Sequence, residues 1–185
     1  MKKWQRAAVA VTFSGAAIAG VAVPAVAANT NPSSTRSRAA SPGRSVPANT
    51  RVVETFVQDV LNNHHGDHAG LYLTADASWH GGTVGTIEGR ANVAGLFAGV
   101  VSALPDVHAS VEDAFGQGSE VVLRMVVSGT QTGPVLGIPA TGRNVNWDAI
   151  DVFRLRGGRI SSIWAGDDWS AVLYYTGTFT PPWIQ

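Results

Sequence analysis

The chain holds 185 residues, with 13 basic and 13 acidic side chains, 21 glycines and no cysteine. That length fits one domain with a tail, and the missing cysteine excludes disulfides, thiolate nucleophiles and zinc–thiolate centres. From Arg51 onward 7 arginines stand against 13 carboxylates and there is no lysine. Such an acidic domain argues against nucleic acid as a partner, because affinity there comes from neutralising phosphates.

The chain opens with MKKWQR, continues through the apolar run AAVAVTFSGAAIAGVAVP and reaches small residues at Ala25 and Ala27. A basic start, an apolar stretch and an A-x-A site predict a secretory signal over 1–27, cleaved on export. No other segment approaches the length of a membrane span. Residues 28–49 lack aromatic side chains and cannot bury enough apolar surface to offset the entropy of ordering, so they read as a linker. The folded domain is expected over 50–180.

Val53, Phe56, Val57, Val60 and Leu61 recur at helical spacing, with Asn49 or Thr50 available as N-cap and Gly66 as the stop. Asp67 can cap a short second helix through Leu73, and the strand-like ASWH follows. The clearest periodicity runs from Glu88 to Leu104, where Val93, Leu96, Phe97, Val100, Val101 and Leu104 form one stripe and Pro105 ends it. Gly95 and Gly99 weaken that helix but permit close approach of a neighbour. Strands are predicted over 107–115, 119–130, 145–156 and 159–165, the last two joined by the Gly157-Gly158 hairpin. Helices followed by a meander of strands indicate an α+β domain. A curved sheet wrapped over the long helix leaves a pocket, and five tryptophans beyond the signal suit its walls.

The segments "ADASWH", "IEGRANVAGLFAGVVSALPDVHASVED", "GSEVVLRMVVSGTQTGPVLGIPATGRNV", "IDVFRLRGGRISSIWAGDD" and "LYYTG" occur in the order of a known family. Together they resemble the SnoaL-like polyketide cyclases, or ester cyclases, of the nuclear-transport-factor-2-like superfamily, over about residues 51–177. The resemblance implies a cone of curved antiparallel sheet with about three helices, dimeric through the sheet, with a pocket inside. It also implies cofactor-independent acid/base chemistry. In the family a carboxylate four residues after the tryptophan of the last strand is the acid/base, which points here to Asp168. A histidine of the early D-x-x-x-H segment, here His80, faces the same cavity. Trp79, Phe97, Trp147 and Trp164 are the expected substrate-binding walls, and the implied partner is a small hydrophobic carbonyl compound.

Cyclisation of that kind removes a proton from carbon beside carbonyls, and a desolvated carboxylate is basic enough to do so. The enolate oxygen needs a donor aimed at it in advance, a task for His80 or an indole N–H. No metal or other cofactor is required. Asp167 adjoins Asp168, and adjacent carboxylates point in different directions, so that one enters the pocket and the other caps the next helix. Period-two alternation puts Asp148 and Ile150 on one face and Asp151 on the other. Asp151 is expected to pair with Arg124 or Arg154. His64, His65, Asp67 and His68 in NHHGDH carry metal-ligand side chains, but Gly66 breaks their helix and they read as a solvated turn. His108 reads as a surface residue. The loop TGPVLGIPATGR is a lip at the pocket mouth rather than a phosphate cradle, and no G-x-S-x-G is present. Two features stand apart from the family: Ser162-Ile163-Trp164 replaces a frequent E-H-W, and an export signal is unusual where polyketides are made inside cells. An exported, non-catalytic binder of a small hydrophobic ligand is therefore the alternative to a cyclase-type enzyme.

Overall fold

The computed structural model describes residues 46–184; the expected signal and most of the expected linker lie outside the described residues. Helix α1, Val46–Phe56, begins inside the stretch expected to be linker. Pro47 occupies its first turn, where a missing N–H leaves no bond unmade. Asn49 lies within the helix rather than capping it; it is buried, and its Nδ2 donates to the Gly118 carbonyl at 3.1 Å. The helix continues into a π turn, Val57–Asn62. A 3-10 turn, Gly66–His68, leads into α2, Ala69–Tyr72, and the long helix α3 covers Arg90–Ala103. A last helix, α4, spans Trp169–Tyr175.

The strands are β1 Leu73–His80, β2 Thr86–Glu88, β3 His108–Gln117, β4 Glu120–Thr130, β5 Asn144–Arg156 and β6 Arg159–Asp167. They form one six-stranded sheet in the order β2-β1-β6-β5-β4-β3. The expected meander is present as β3 to β6, while β2 and the first half of β1 are additions. Neighbours pair antiparallel except β1 and β6, which run parallel, so the sheet is mixed rather than wholly antiparallel. A parallel pair requires a long crossover, and here α3 and the whole meander supply it. Register shifts at Val111/Asp113 and Arg154/Leu155 bend the strands, giving a curved, unclosed sheet. Together with helices on its concave side, this is the nuclear-transport-factor-2-like cone.

One sheet face carries the core. In β4, Val121, Leu123, Met125 and Val127 point inward and are at most 4% exposed. Val53, Phe56, Val57 and Val60 of the first helix cover them from one side. Phe56 binds the helices to each other, its ring edge-on to Phe97 at 4.9 Å and to Tyr72 at 5.6 Å, arrangements that add about 0.5–1.5 kcal/mol each beyond area burial.

Candidate functional site

A cavity of about 320 Å³ lies between the concave face of the sheet, α3 and α4. Gly95 and Gly99 of α3 border it, and a Cβ on either would meet nothing within 4 Å. These glycines therefore leave room for a ligand; they are not points of close helix contact, as their spacing suggested. Leu136 of the 131–142 loop stands at the mouth, as expected of a lip. That loop is held from within by Gln131, which is fully buried. Its Nε2 donates to the carbonyls of Gly133 and Pro139 at 3.0 Å each.

Trp79, Phe97 and Trp147 line the cavity, joined by Met125 and Trp169, which sequence reasoning did not assign. Among the described lining residues only Asp151 and Asp167 carry an ionisable group. Cross-strand register explains their meeting. Asp151 of β5 faces Ala165, and Ala149 faces Asp167, so the two carboxylates are diagonal neighbours on the inner surface. Trp147 Nε1 donates to Asp167 Oδ1 at 2.7 Å and fixes that carboxyl. The Gly166 N–H donates to Asp151 Oδ1 at 3.1 Å. Gly166 is required there, since a Cβ would lie 2.6 Å from the Ile150 carbonyl oxygen.

Burial raises the Asp167 carboxyl to about 6, although the indole hydrogen bond pulls the other way. Asp151 is pushed well above the carboxylate range, first by desolvation and then by the charge of Asp167. Two carboxyls side by side in a largely apolar site do not both ionise readily, and they titrate as a pair. Desolvation acts more strongly on Asp151, so Asp151 is the carboxyl held toward its protonated form and Asp167 the one that ionises first.

Asp168 is not in the cavity. It is exposed and caps α4, its Oδ1 accepting from the Ser170 and Ala171 N–H groups at 3.0 and 3.2 Å. The Ser170 hydroxyl bond, followed by those backbone N–H groups, holds its carboxyl below the usual range. The division of labour expected of the adjacent acids is present with the residues exchanged. Alternation along β6 could have found it: Ile163, Ala165 and Asp167 share a face, whereas a count of four from the outward Trp164 runs past the strand end.

His80 and Trp164 also lie outside, on the convex face. They pair in register and their rings stack at 5.4 Å, while His80 Nε2 and Nδ1 lie 3.1 Å from the Ser78 and Thr86 hydroxyls. Arg154 covers the other side of that stack, 4.9 Å from the Trp164 ring. Among the described residues Asp151 has no arginine partner, because Arg124 pairs with Asp113 and Arg154 with Glu120. Asp76, the acid of the D-x-x-x-H segment, pairs with Arg156. His108 is exposed, as expected.

Sequence comparison matches residues 51–174 to the SnoaL-like polyketide cyclase family. Comparison with curated proteins gave no match. Among solved structures, a protein of Jannaschia sp. CCS1 assigned as a SnoaL-like polyketide cyclase superposes with TM-score 0.67 at 21% identity, covering 78% of this chain and 99% of that one. IdmH of Streptomyces antibioticus, assigned as a polyketide cyclase, gives TM-score 0.59 at 25% identity over 70% of this chain and 98% of its own. A Catenulispora acidiphila protein with a ketosteroid-isomerase-like fold gives 0.59 at 22% identity, covering 70% and 97%.

Proposed function

The chain belongs to the SnoaL-like polyketide cyclase family, and on that premise we propose that it is a cofactor-independent acid/base catalyst acting on a small, largely apolar carbonyl compound. The reaction is an intramolecular aldol cyclisation or a related isomerisation or dehydration. Asp167 takes a proton from carbon next to a carbonyl, and the electron pair moves onto the carbonyl oxygen. The retained proton of Asp151 hydrogen-bonds that oxygen as it gains charge. The carbon then attacks a second carbonyl of the same molecule, and the resulting alkoxide recovers a proton from Asp167, so that no atom is lost. Trp147 keeps the Asp167 carboxyl aimed into the cavity, and the apolar walls exclude the water that would lower its basicity.

The observation that carries this reading is a carboxyl raised to about 6 beside a second one pushed well above the carboxylate range, in an otherwise apolar cavity of about 320 Å³. Export through the 1–27 signal belongs to the same proposal, and N-terminal sequencing of the protein recovered from culture medium checks it. So does a homodimer. Phe115, Val122, Val152, Trp164 and His80 are register partners in one row across the convex face. Phe115 is 60% exposed in that row, and light scattering of Phe115→Asp tests the contact.

A non-catalytic carrier of the same ligand is the second reading, favoured by the position of His80 outside the cavity. The decisive experiment identifies by mass the small molecule that copurifies with the protein and follows its conversion by wild type and Asp167→Asn. Turnover lost in the variant with the ligand still bound supports the enzyme. A molecule held unchanged by both proteins establishes the carrier.

A further inference from the structure

The segment NHHGDH is divided by the fold. His64 turns away, its Nε2 2.9 Å from the Val107 carbonyl, and Asp67 is exposed. His65 and His68 converge instead on Asp59, an acid from the preceding π turn. His65 Nδ1 lies 2.7 Å from Asp59 Oδ1 and His68 Nδ1 lies 3.1 Å from Oδ2, and one donor atom from each residue falls within 4.8 Å of the others. In tetrahedral zinc(II) sites, bonds of about 2.0–2.1 Å put neighbouring donors roughly 3.3 Å apart. The spacing already present is thus close to what such an ion needs.

We propose that Asp59, His65 and His68 form a zinc(II) site, with two imidazole nitrogens, one carboxylate oxygen and water completing the shell. It is separate from the carboxyl pair in the cavity. The chain is locally distorted to assemble these residues. Asp59 sits in a π turn, an uncommon conformation that recurs at functional sites. His64 takes a left-handed backbone, φ 60°, which costs energy for a residue other than glycine. The Tyr72 hydroxyl donates to Asp59 Oδ2 at 2.8 Å, as an outer partner orients a ligating carboxylate. With His65 49% and His68 41% exposed at their side chains, solvent has access for the remaining coordination position.

Binding there joins the π turn to the following 3-10 turn. Both bear on the cavity wall: Leu61 of the π turn lines the cavity, and a Cβ on Gly66 would come 2.8 Å from the Ala98 Cα of α3. The ion therefore acts as a staple behind the wall.

The test is calorimetric titration of the chelator-treated full chain with zinc chloride, together with thermal unfolding. One equivalent of zinc is expected, and at 100 times its dissociation constant it raises Tm by roughly 5–10 °C. His65→Gln at an exposed position and His68→Gln at a half-buried one keep the zinc-free Tm but lose at least about tenfold in affinity, since each removes a ligand where even an outer partner is worth 10–100-fold. Cobalt(II) in place of zinc gives a visible absorption band that both variants abolish. Absence of binding at every soluble zinc concentration, or unchanged binding in the double variant, overturns the proposal.

Discussion

The two faces of one sheet carry the same kinds of side chain in opposite chemical states. On the concave face Asp151 and Asp167 share a cavity with indole rings and methyl groups, and both are raised above the carboxylate range. On the outward side Asp113, Asp76 and Glu120 pair with arginines in contact with water, and Asp168 satisfies a helix end. Tryptophan divides in the same way: the indole of Trp147 donates to a half-buried carboxyl, whereas Trp164 lies between His80 and Arg154. An aspartate becomes a base at neutral pH through the loss of water around it, and sheet curvature decides which aspartates lose it.

The largest effect expected from breaking this contrast is at Asp167. Asp167→Asn keeps an acceptor for the Trp147 N–H and should lower turnover by about 10²–10⁴-fold, measured with the copurified substrate. The same variant should be more stable above neutrality. A raised carboxyl pKa favours the protonated folded state, so the wild type loses stability as pH rises from the ordinary value of 3.8 through about 6. Asparagine removes that penalty, worth roughly 1–3 kcal/mol, as denaturant melts at pH 5 and pH 8 would show.

Asp151→Asn tests the second acid. Its rate should fall about 10²-fold. The rise in rate with pH through about 6 should persist, while any alkaline fall due to ionisation of Asp151 should disappear. Gly99→Leu should fill the cavity without disturbing the core, because its side chain starts in open space. The expected result is ligand binding weakened by about tenfold or more with Tm no lower than wild type, since a pocket methylene alone is worth roughly 1–3 kcal/mol and leucine favours the helix over glycine.

The smallest effects belong to the convex side. Asp168→Asn should be nearly silent, since asparagine caps as well as aspartate, and Asp168→Ala should cost about 1 kcal/mol of stability with an unaltered pH–rate profile. A large loss of turnover in Asp168→Asn with Asp167→Asn active would reverse the assignment.

Element type and order were legible because hydrophobic period is local. The stripe from Val93 to Leu104 gives α3, and alternation with the Gly157-Gly158 turn gives β5 and β6 nearly to their ends. The same alternation separates Asp151 from Asp148. Which of those faces is concave is absent from the local pattern, so the arginines that the sequence offers to Asp151 belong in the fold to Asp113 and Glu120. The parallel pairing of β1 with β6 was hidden for the same reason, since strands so far apart in the chain carry no mark of each other.

The sequence by itself determined an acidic α+β domain of a recognisable family, rich in indole and equipped with adjacent acids at the end of its last strand. Only the tertiary structure decided that Asp167 turns inward beside Asp151, that His80 stays outside, and that His65 and His68 meet Asp59. Residue type and spacing fix what a side chain can do. Burial and proximity fix its charge and its partners, and both arise from contacts between segments distant in the chain.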